Sequence, residues 1–214
     1  QVPAELKYDY VSGNIVRVGD KFGIIDDNGR EMTELKFSEI SDFFEGVGFA
    51  QEGDSVGLVD KNGEISGIKY QKLREIIYIR DGELHSILNP GDFNKKIPLP
   101  DRWFPNNGEG DNKRININQI DSVVAYSFLL NNKYGILGKD GSVIIPFDFD
   151  YLWIINANTI WVELNSKWGL YSITGKMLTP CIYDGPGTIK DGYYFVKKDK
   201  KPVKVDPLGN ELEI

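Results

Sequence analysis

A short segment recurs along the chain at a regular spacing, and this repetition constrains the fold more than any other feature. The clearest copy, at residues 167–175, reads Lys-Trp-Gly-Leu-Tyr-Ser-Ile-Thr-Gly. Three further strong copies have the same length and also close on a glycine: residues 21–29, 55–63 and 133–141. Two weaker copies close at Gly91 and Gly209.

The closing glycines show how regular the repeat is. They are separated by 34, 28, 50, 34 and 34 residues. A period between about 20 and 50 residues is typical of solenoids, propellers and linear arrays. The position seven residues before the first glycine of the motif is apolar in all six copies: Val16, Ala50, Tyr78, Phe128, Val162 and Val196. We therefore predict that this position is buried on the same strand of successive units.

Each strong copy predicts a three-stranded antiparallel meander followed by a connection. In the fifth copy, residues 160–164 alternate with the period of a half-buried strand. Residues 165–166 form a short polar link to a second strand at 167–172, and a third strand is expected at 176–178. Asn-Gly and Asp-Gly steps are typical of two-residue hairpin turns with positive φ. We expect that geometry at the strong closing glycines: Gly29, Gly63, Gly141 and Gly175.

Each unit is expected to end on a proline and an aromatic anchor. Pro146 and Pro180 follow the third strand of their copies, which predicts a strand end or an edge strand because proline has no N–H to donate. An aromatic residue about eight positions after the closing glycine is interpreted as the packing anchor of the connection: Phe37, Tyr70, Phe149 and Tyr183. Helical periodicity is absent, and a single helical turn is expected only at residues 70–77.

The motif joins a large side chain to a glycine, as in Trp168-Gly169. We interpret the glycine as the place where a neighbouring backbone or ring approaches closely. The Lys-Trp-Gly-Leu-Tyr segment, the glycine six residues after the first, and the following Pro and Tyr-Asp resemble the bacterial WG repeat family, also called KWG repeats, over residues 14–210. The resemblance implies tandem β-structure and carries no catalytic residues. The chain departs from the family pattern at residues 84–86 and 201–203, the latter as expected of a capping repeat.

These patterns predict one all-β domain over residues 1–214. It is expected to be an array of about six antiparallel β-meander or hairpin repeats with a period of 34 residues. A four-stranded propeller blade needs about 40–45 residues. The shorter period leaves room for three strands and a connection, which favours an open twisted stack, with a β-propeller as the alternative.

The 50-residue gap contains an irregular insertion at about residues 89–118, rich in proline, asparagine and glycine. Long loops without secondary structure are often functional. Arg102, Trp103 and Phe104 place a cation and two aromatic rings in this polar stretch, and they are the predicted ligand-binding residues. The alternative is that Trp103 and Phe104 fold back as a plug over an exposed repeat face.

Charge and composition narrow the range of partners. The chain has 25 lysines and arginines against 32 acidic residues, a net charge of −7, and these charges are scattered along the sequence. This pattern predicts no basic face for nucleic acid or an anionic membrane surface. No apolar run approaches the roughly 18 residues of a membrane-spanning helix. The chain opens on Gln1 without a methionine, which favours a secreted or periplasmic, cell-envelope location, with a cytoplasmic one as the alternative.

The residues needed for the common catalytic and metal sites are incomplete. His85 is the only histidine and Cys181 the only cysteine, so nucleophilic triads and His- or Cys-rich metal sites lack members. No metal or cofactor is therefore expected. Asp148 and Asp150 would share one face of an extended segment, as in a glycosidase pair. Asp150 aligns with Asp184 as a repeat position, which favours a structural role.

The predicted function is that of a non-enzymatic repeat scaffold that binds a protein or a cell-envelope component. The alternative is a glycan-acting hydrolase or a carbohydrate-binding module, with Trp103, Trp153 or Trp161 as sugar platforms. Solvent exposure of these tryptophans distinguishes the two hypotheses. If all three are buried and no two carboxylates share a cleft, the hydrolase hypothesis is excluded.

Overall fold

The computed structural model describes residues 7–80, 83–88, 122–156 and 159–213. Its elements are β-strands in five antiparallel sheets that follow one another along the chain. The first sheet contains β1 (Tyr10–Ser12), β2 (Ile15–Val18) and β3 (Lys21–Ile24). The second contains β4 (Glu39–Ile40), β5 (Gly48–Glu52), β6 (Ser55–Asp60) and β7 (Gly63–Glu64).

The third sheet contains β8 (Lys72–Arg80), β9 (Glu83–Leu88), β10 (Ser122–Leu130), β11 (Lys133–Gly138) and β12 (Val143–Phe149), in the order β12-β11-β10-β8-β9. The fourth contains β13 (Tyr151–Asn156), β14 (Thr159–Leu164), β15 (Lys167–Ser172) and β16 (Met177–Tyr183). The fifth contains β17 (Thr188–Lys190), β18 (Tyr193–Lys198), β19 (Lys201–Val205) and β20 (Glu211–Leu212). The predicted all-β tandem array is confirmed, and none of these sheets closes into a barrel within the described ranges.

The predicted repeat register is confirmed by burial. Val16, Phe128, Val162 and Val196 are all at most 5% exposed, and they occupy equivalent strands of successive sheets. Val162 lies directly across from the motif glycine Gly169. The register therefore places one apolar side chain per unit in the core.

The second, fourth and fifth sheets each have four strands, so the predicted three-stranded meander is wrong for these units. β16 runs past the expected end at residue 178 and includes Pro180, which is tolerated because β16 is an edge strand. The expected connection itself forms a strand, since β13 starts immediately after β12 and opens the next sheet. A period of 34 residues therefore accommodates four strands.

Two other expectations are corrected around residue 80. The helical turn expected at residues 70–77 is absent there, because this segment leads into β8, which pairs with β10. The weak copy that closes at Gly91 forms no sheet of its own in the described part of the chain. Its strand β9 pairs with β8 at the edge of the third sheet, so five sheets replace about six units.

The turns confirm positive φ at the strong closing glycines, but the turns that end at Gly29, Gly141 and Gly175 are longer than the predicted two-residue turn. The angles are 80° at Gly29, 122° at Gly63, 77° at Gly141 and 85° at Gly175. Gly175 closes its turn by donating its N–H to the Ser172 carbonyl at 3.0 Å, and it alone has positive φ there, as in a longer turn with a terminal left-handed residue. The two-residue turn is instead the polar link, where Asn165 and Ser166 have φ of 53° and 62°.

Close approach explains the motif glycine, as the sequence predicted. A Cβ at Gly135 would lie 2.6 Å from the Phe147 ring of the neighbouring strand, and one at Gly169 would lie 2.8 Å from the Pro180 backbone. The closing glycine performs the same role between sheets, because a Cβ at Gly175 would collide with the Ile144 carbonyl of the preceding edge strand. Glycine thus permits packing both within and between units.

A separate hydrophobic cluster lies between each pair of consecutive sheets. The predicted aromatic anchors are all buried in these clusters: Phe37, Tyr70, Phe149 and Tyr183. β14 was expected to be half-buried, yet Ile160, Trp161 and Val162 are all 0% exposed. Its two faces are covered by different neighbours, since Val162 packs towards the third sheet and Trp161 towards the fifth.

Candidate binding surface

The residues that the sequence predicts to bind a ligand are Arg102, Trp103 and Phe104. They belong to the insertion, which lies outside the described residues, so both the binding role and the plug alternative stay predictions. The structure does describe the other two tryptophans proposed as sugar platforms. Trp161 is 0% exposed and Trp153 is 47% exposed. Trp161 is therefore too buried to act as a sugar platform, whereas Trp153 is exposed enough to do so.

β13 places two exposed aromatic side chains on one face of the fourth sheet. Side chains two residues apart on a strand project to the same side, and Tyr151 is 38% exposed beside the more exposed Trp153. β13 is also the edge strand of its sheet.

Tyr151 links the motif aromatics of two consecutive units. Its ring centroid is 5.7 Å from that of Tyr134 in the third sheet and 6.1 Å from that of Trp168 in the fourth, and both contacts are edge-to-face. This is the arrangement that the aromatic quadrupole favours. The Arg74 guanidinium lies 5.5 Å from the Tyr134 centroid. We refer to Tyr134, Tyr151, Trp153 and Trp168 as the aromatic surface.

Two residues of the aromatic surface, Tyr151 and Trp153, lie where the chain departs from its own repeat, whereas Tyr134 and Trp168 occupy the motif position. In the next copy, 34 residues on, glycines occupy the positions of Tyr151 and Trp153, and a proline occupies that of Trp168: Gly185, Gly187 and Pro202. Sequence reasoning had weighed Trp153 but missed Tyr151, because it searched for departures mainly in the insertion. Comparing the copies position by position would have found the signal.

The repeat aspartate connects neighbouring units. Lys133 donates to one oxygen of Asp150, whose other oxygen accepts the Asn165 N–H at 2.8 Å in the next hairpin turn. In the following copy Lys167 donates to Asp184 at 2.7 Å, and the Lys200 N–H donates to the other Asp184 oxygen at 2.7 Å. The structural role that the sequence favoured for Asp150 is therefore the one the structure shows.

These contacts also determine the charge of the aspartates. The hydrogen bond from Lys133 holds the pKa of Asp150 below its ordinary value, and that from Lys167 does the same for the pKa of Asp184. Hydrogen bonding to the ionised form favours that form. Both carboxylates are thus ionised acceptors at neutral pH.

Cys181 occupies the packing position that its alignment with Phe147 predicts. It is partly buried against the cluster between the third and fourth sheets, and burial raises the pKa of its thiol. A raised pKa leaves less of the reactive thiolate. Among the described residues, no group of three or more His, Cys, Asp or Glu side chains is arranged to hold a metal ion.

Comparison with known families agrees with the repeat analysis. A family model described as WG containing repeat matches residues 22–54, 134–168 and 168–201. The matched segments begin at the motif aromatics Phe22, Tyr134 and Trp168. A search of curated proteins found no match. In the part of the chain that the structure describes, no helix has the length and apolar character needed to cross a membrane.

Proposed function

The chain is a WG-repeat protein, and from that premise we propose that it is a non-enzymatic scaffold which binds a protein or a cell-envelope polymer through the aromatic surface. The proposal rests on the solvent exposure of Tyr151 and Trp153. Tyr151 also packs edge-to-face against the rings of Tyr134 and Trp168. Contiguous exposed apolar patches on soluble proteins commonly mark interaction sites.

The composition of the surface suits a binding interface. Trp, Tyr and Arg are the residue types enriched at the energetic centres of protein interfaces, and this surface combines Trp153 and Tyr151 with the nearby Arg74. Rigid aromatic side chains lose little conformational entropy on binding. Because Tyr151 is held between two rings, little of its freedom remains to be lost.

The carboxylates near the aromatic surface favour binding over hydrolysis. A glycosidase needs a general acid whose pKa is raised. The pKa of Asp150 is lowered instead by its hydrogen bond to Lys133, and its second oxygen is occupied by the Asn165 N–H. An ionised carboxylate with both oxygens engaged is poorly suited to donate a proton.

A carbohydrate ligand is the second candidate, and Trp153 favours it. An exposed indole face gives a sugar ring apolar area to pack on, with polar groups at its rim. Glu163 lies in register directly between Tyr151 and Trp168 across the sheet. A carbohydrate-binding protein would also be a hydrolase only if a carboxylate such as Glu163 acted on the bound glycan.

A site-specific cross-linking experiment tests the proposal. A photoreactive amino acid replaces Trp153 in one version of the chain and Met177 in a control version, since Met177 is 55% exposed on the other edge of the same sheet. We expect a discrete adduct with a protein or envelope polymer from position 153 in the producing cells. Equal adduct patterns from both positions would contradict the proposal.

Purified polymers separate the second candidate from the first. Co-sedimentation with peptidoglycan is measured for the wild type, for Tyr151→Ala/Trp153→Ala and for the control Met177→Ala. Loss of sedimentation in the double variant alone identifies a glycan ligand. Release of reducing ends by the wild type, abolished by Glu163→Gln, would replace the non-enzymatic scaffold with the hydrolase.

A further inference from the structure

The fifth sheet has a face that points away from the rest of the array. Tyr194 and Val196 on β18 pack towards the fourth sheet, so the alternate residues of β18 project to the opposite side. The strand register identifies the other residues on that side. We refer to them as the lysine face: Thr188, Lys190, Tyr193, Phe195, Lys197, Pro202, Lys204 and Leu212.

Phe195 is at the centre of the lysine face. It lies directly across from Lys204 on one side and Thr188 on the other. Lys197 is two residues along the same strand, and Lys190 is diagonal to Phe195. Directly opposite residues have Cβ atoms about 4.5–5.5 Å apart and diagonal ones about 7–8 Å apart. Three lysines therefore flank one aromatic residue, Phe195, that is 36% exposed.

The lysine face is electropositive on an acidic protein, which corrects the sequence-based prediction that the chain has no basic face. The chain carries a net charge of −7, yet none of the strand residues on this face is acidic. Nearby lysines such as Lys167 and Lys198 form ion pairs. Among the described residues, no carboxylate lies within ion-pair distance of Lys190, Lys197 or Lys204. The Lys204 ammonium instead lies 3.8 Å from the Tyr193 ring centroid.

The lysine face is not built to receive another sheet of the same kind. The equivalent face of the fourth sheet presents Trp161 and Leu170, both 0% exposed against the fifth sheet. Phe195 and Lys204 occupy those positions on the fifth sheet. Covering Lys204 with an apolar sheet would bury an unpaired charge, which is costly. The face therefore suits a ligand that supplies negative charge.

We infer that the lysine face is a docking surface for an acidic protein segment that carries an apolar side chain. The apolar side chain packs on Phe195, and the flanking carboxylates pair with Lys190, Lys197 and Lys204. Charge complementarity of this kind provides specificity and a fast association rate. This surface is separate from the aromatic surface, and the inference does not depend on what that surface binds.

An anionic membrane is the poorer occupant for the same face. Stable attachment by basic residues takes clusters of about 4–8 lysines or arginines, and this face has three lysines on its strands. Phe195 lies within the sheet between strands on both sides, whereas interfacial aromatics insert below the headgroups. A charged sheet face therefore matches an extended protein segment better.

Fluorescence anisotropy with a defined peptide tests the inference. The probe is a labelled, acetylated peptide with one phenylalanine flanked on both sides by glutamates, and the control probe has glutamines in place of the glutamates. We expect the full chain to bind only the glutamate probe, and more weakly as salt is raised. Absence of binding, or equal binding of both probes, would overturn the inference and leave the lysines as a solubilising cap.

Charge reversal locates the site. Lys197→Glu/Lys204→Glu is expected to weaken binding about tenfold or more. Lys21→Glu/Lys176→Glu changes the net charge equally at exposed positions on other sheets and should bind like the wild type. Tyr151→Ala/Trp153→Ala should also bind the probe normally, which keeps this inference separate from the proposed function. Equal weakening by both charge reversals would show that only net charge matters.

Vesicle binding tests whether an anionic membrane, instead of a protein segment, occupies the lysine face. Circular dichroism first establishes that each variant is folded. Sedimentation with phosphatidylserine-containing vesicles is then compared with sedimentation with neutral vesicles. Binding of the anionic vesicles that is lost in Lys197→Glu/Lys204→Glu, without binding of the glutamate probe, would assign the face to a membrane and overturn the protein partner.

Discussion

The fourth and fifth sheets share one repeat register and yet have different environments. Val162 and Val196 are equivalent and both buried, at 0% and 5% exposure. Trp161 and Phe195 are also equivalent, but the first is 0% exposed and the second 36%. The fourth sheet has neighbours on both faces, whereas the lysine face of the fifth is open. The repeat therefore specifies where a residue lies on its strand, and the neighbouring sheets decide whether that position is buried or exposed.

The largest expected effect comes from a charge in the shared core position. Val162→Asp would bury a carboxylate with no partner, which costs about 3–5 kcal/mol. An ordinary domain is stable by only about 5–15 kcal/mol, so this cost is a large fraction of its stability. We expect the variant to be unfolded or to melt far below the wild type in circular dichroism. Lys197→Asp on the lysine face is the control, and an equal loss there would refute the difference between the faces.

A second prediction compares the two aromatic positions directly. Trp161→Ala removes a fully buried ring and should cost about 3–5 kcal/mol. Phe195→Ala removes a partly exposed ring and should cost about 1 kcal/mol. Chemical denaturation of both variants measures the difference. Similar losses would mean that the lysine face is covered in solution.

A third prediction concerns the closing glycines. Gly175→Ala combines the strain of a left-handed alanine, about 1–2 kcal/mol, with a collision against the Ile144 carbonyl. Gly29 has similar positive φ, but a Cβ there would meet nothing within 4 Å. Gly29→Ala should therefore be destabilised only by the strain of the left-handed alanine. Equal melting temperatures of the two variants would show that the contact between sheets is unimportant.

A fourth prediction uses pH on the aspartate that joins the fourth and fifth sheets. The pKa of Asp184 is lowered from its ordinary value of 3.8, mainly by its hydrogen bond with Lys167. Its contribution to stability is therefore complete above about pH 4 and is lost as the pH falls through the lower folded pKa. Asp184→Asn should melt below the wild type at pH 7, and the gap should shrink by pH 2. A gap that is independent of pH would exclude an electrostatic origin.

The smallest effect on stability is expected from the insertion. Deleting residues 94–112 should leave the melting temperature nearly unchanged and abolish any partner that depends on Arg102, Trp103 and Phe104. Differential scanning calorimetry and cross-linking measure the two outcomes. A large loss of melting temperature would instead show that the insertion plugs the array, and the binding role of these residues would be withdrawn.

Much of the fold was predictable because the same weak local pattern of apolar residues and turn glycines recurs in several copies. The apolar position at Val162, the anchor at Tyr183 and positive φ at Gly175 all recur in several copies, so chance agreement is small. Strand number was not predictable in the same way. The segment that becomes β13 has no separate signature, and it pairs with β14 in a new sheet instead of remaining a connection after β12.

The candidate site was less predictable than the fold. Trp153 could be named from the sequence, but its exposure depends on how far the neighbouring sheet covers that face of β13. The contact of Tyr151 with Tyr134 joins two sheets, and no spacing rule connects these residues. The lysine face was not predictable from spacing either, because its three lysines lie on three different strands that only the sheet brings together.

The sequence by itself determined that this protein is an all-β array that contains WG repeats, since period, turn glycines and apolar register are local properties repeated along the chain. Only the tertiary structure decided which side chains of each unit meet solvent. The physical reason is that a strand has two faces, and burial of each depends on the sheet stacked against it. Trp161 and Phe195 show this, because equivalent positions become core in one sheet and surface in the next.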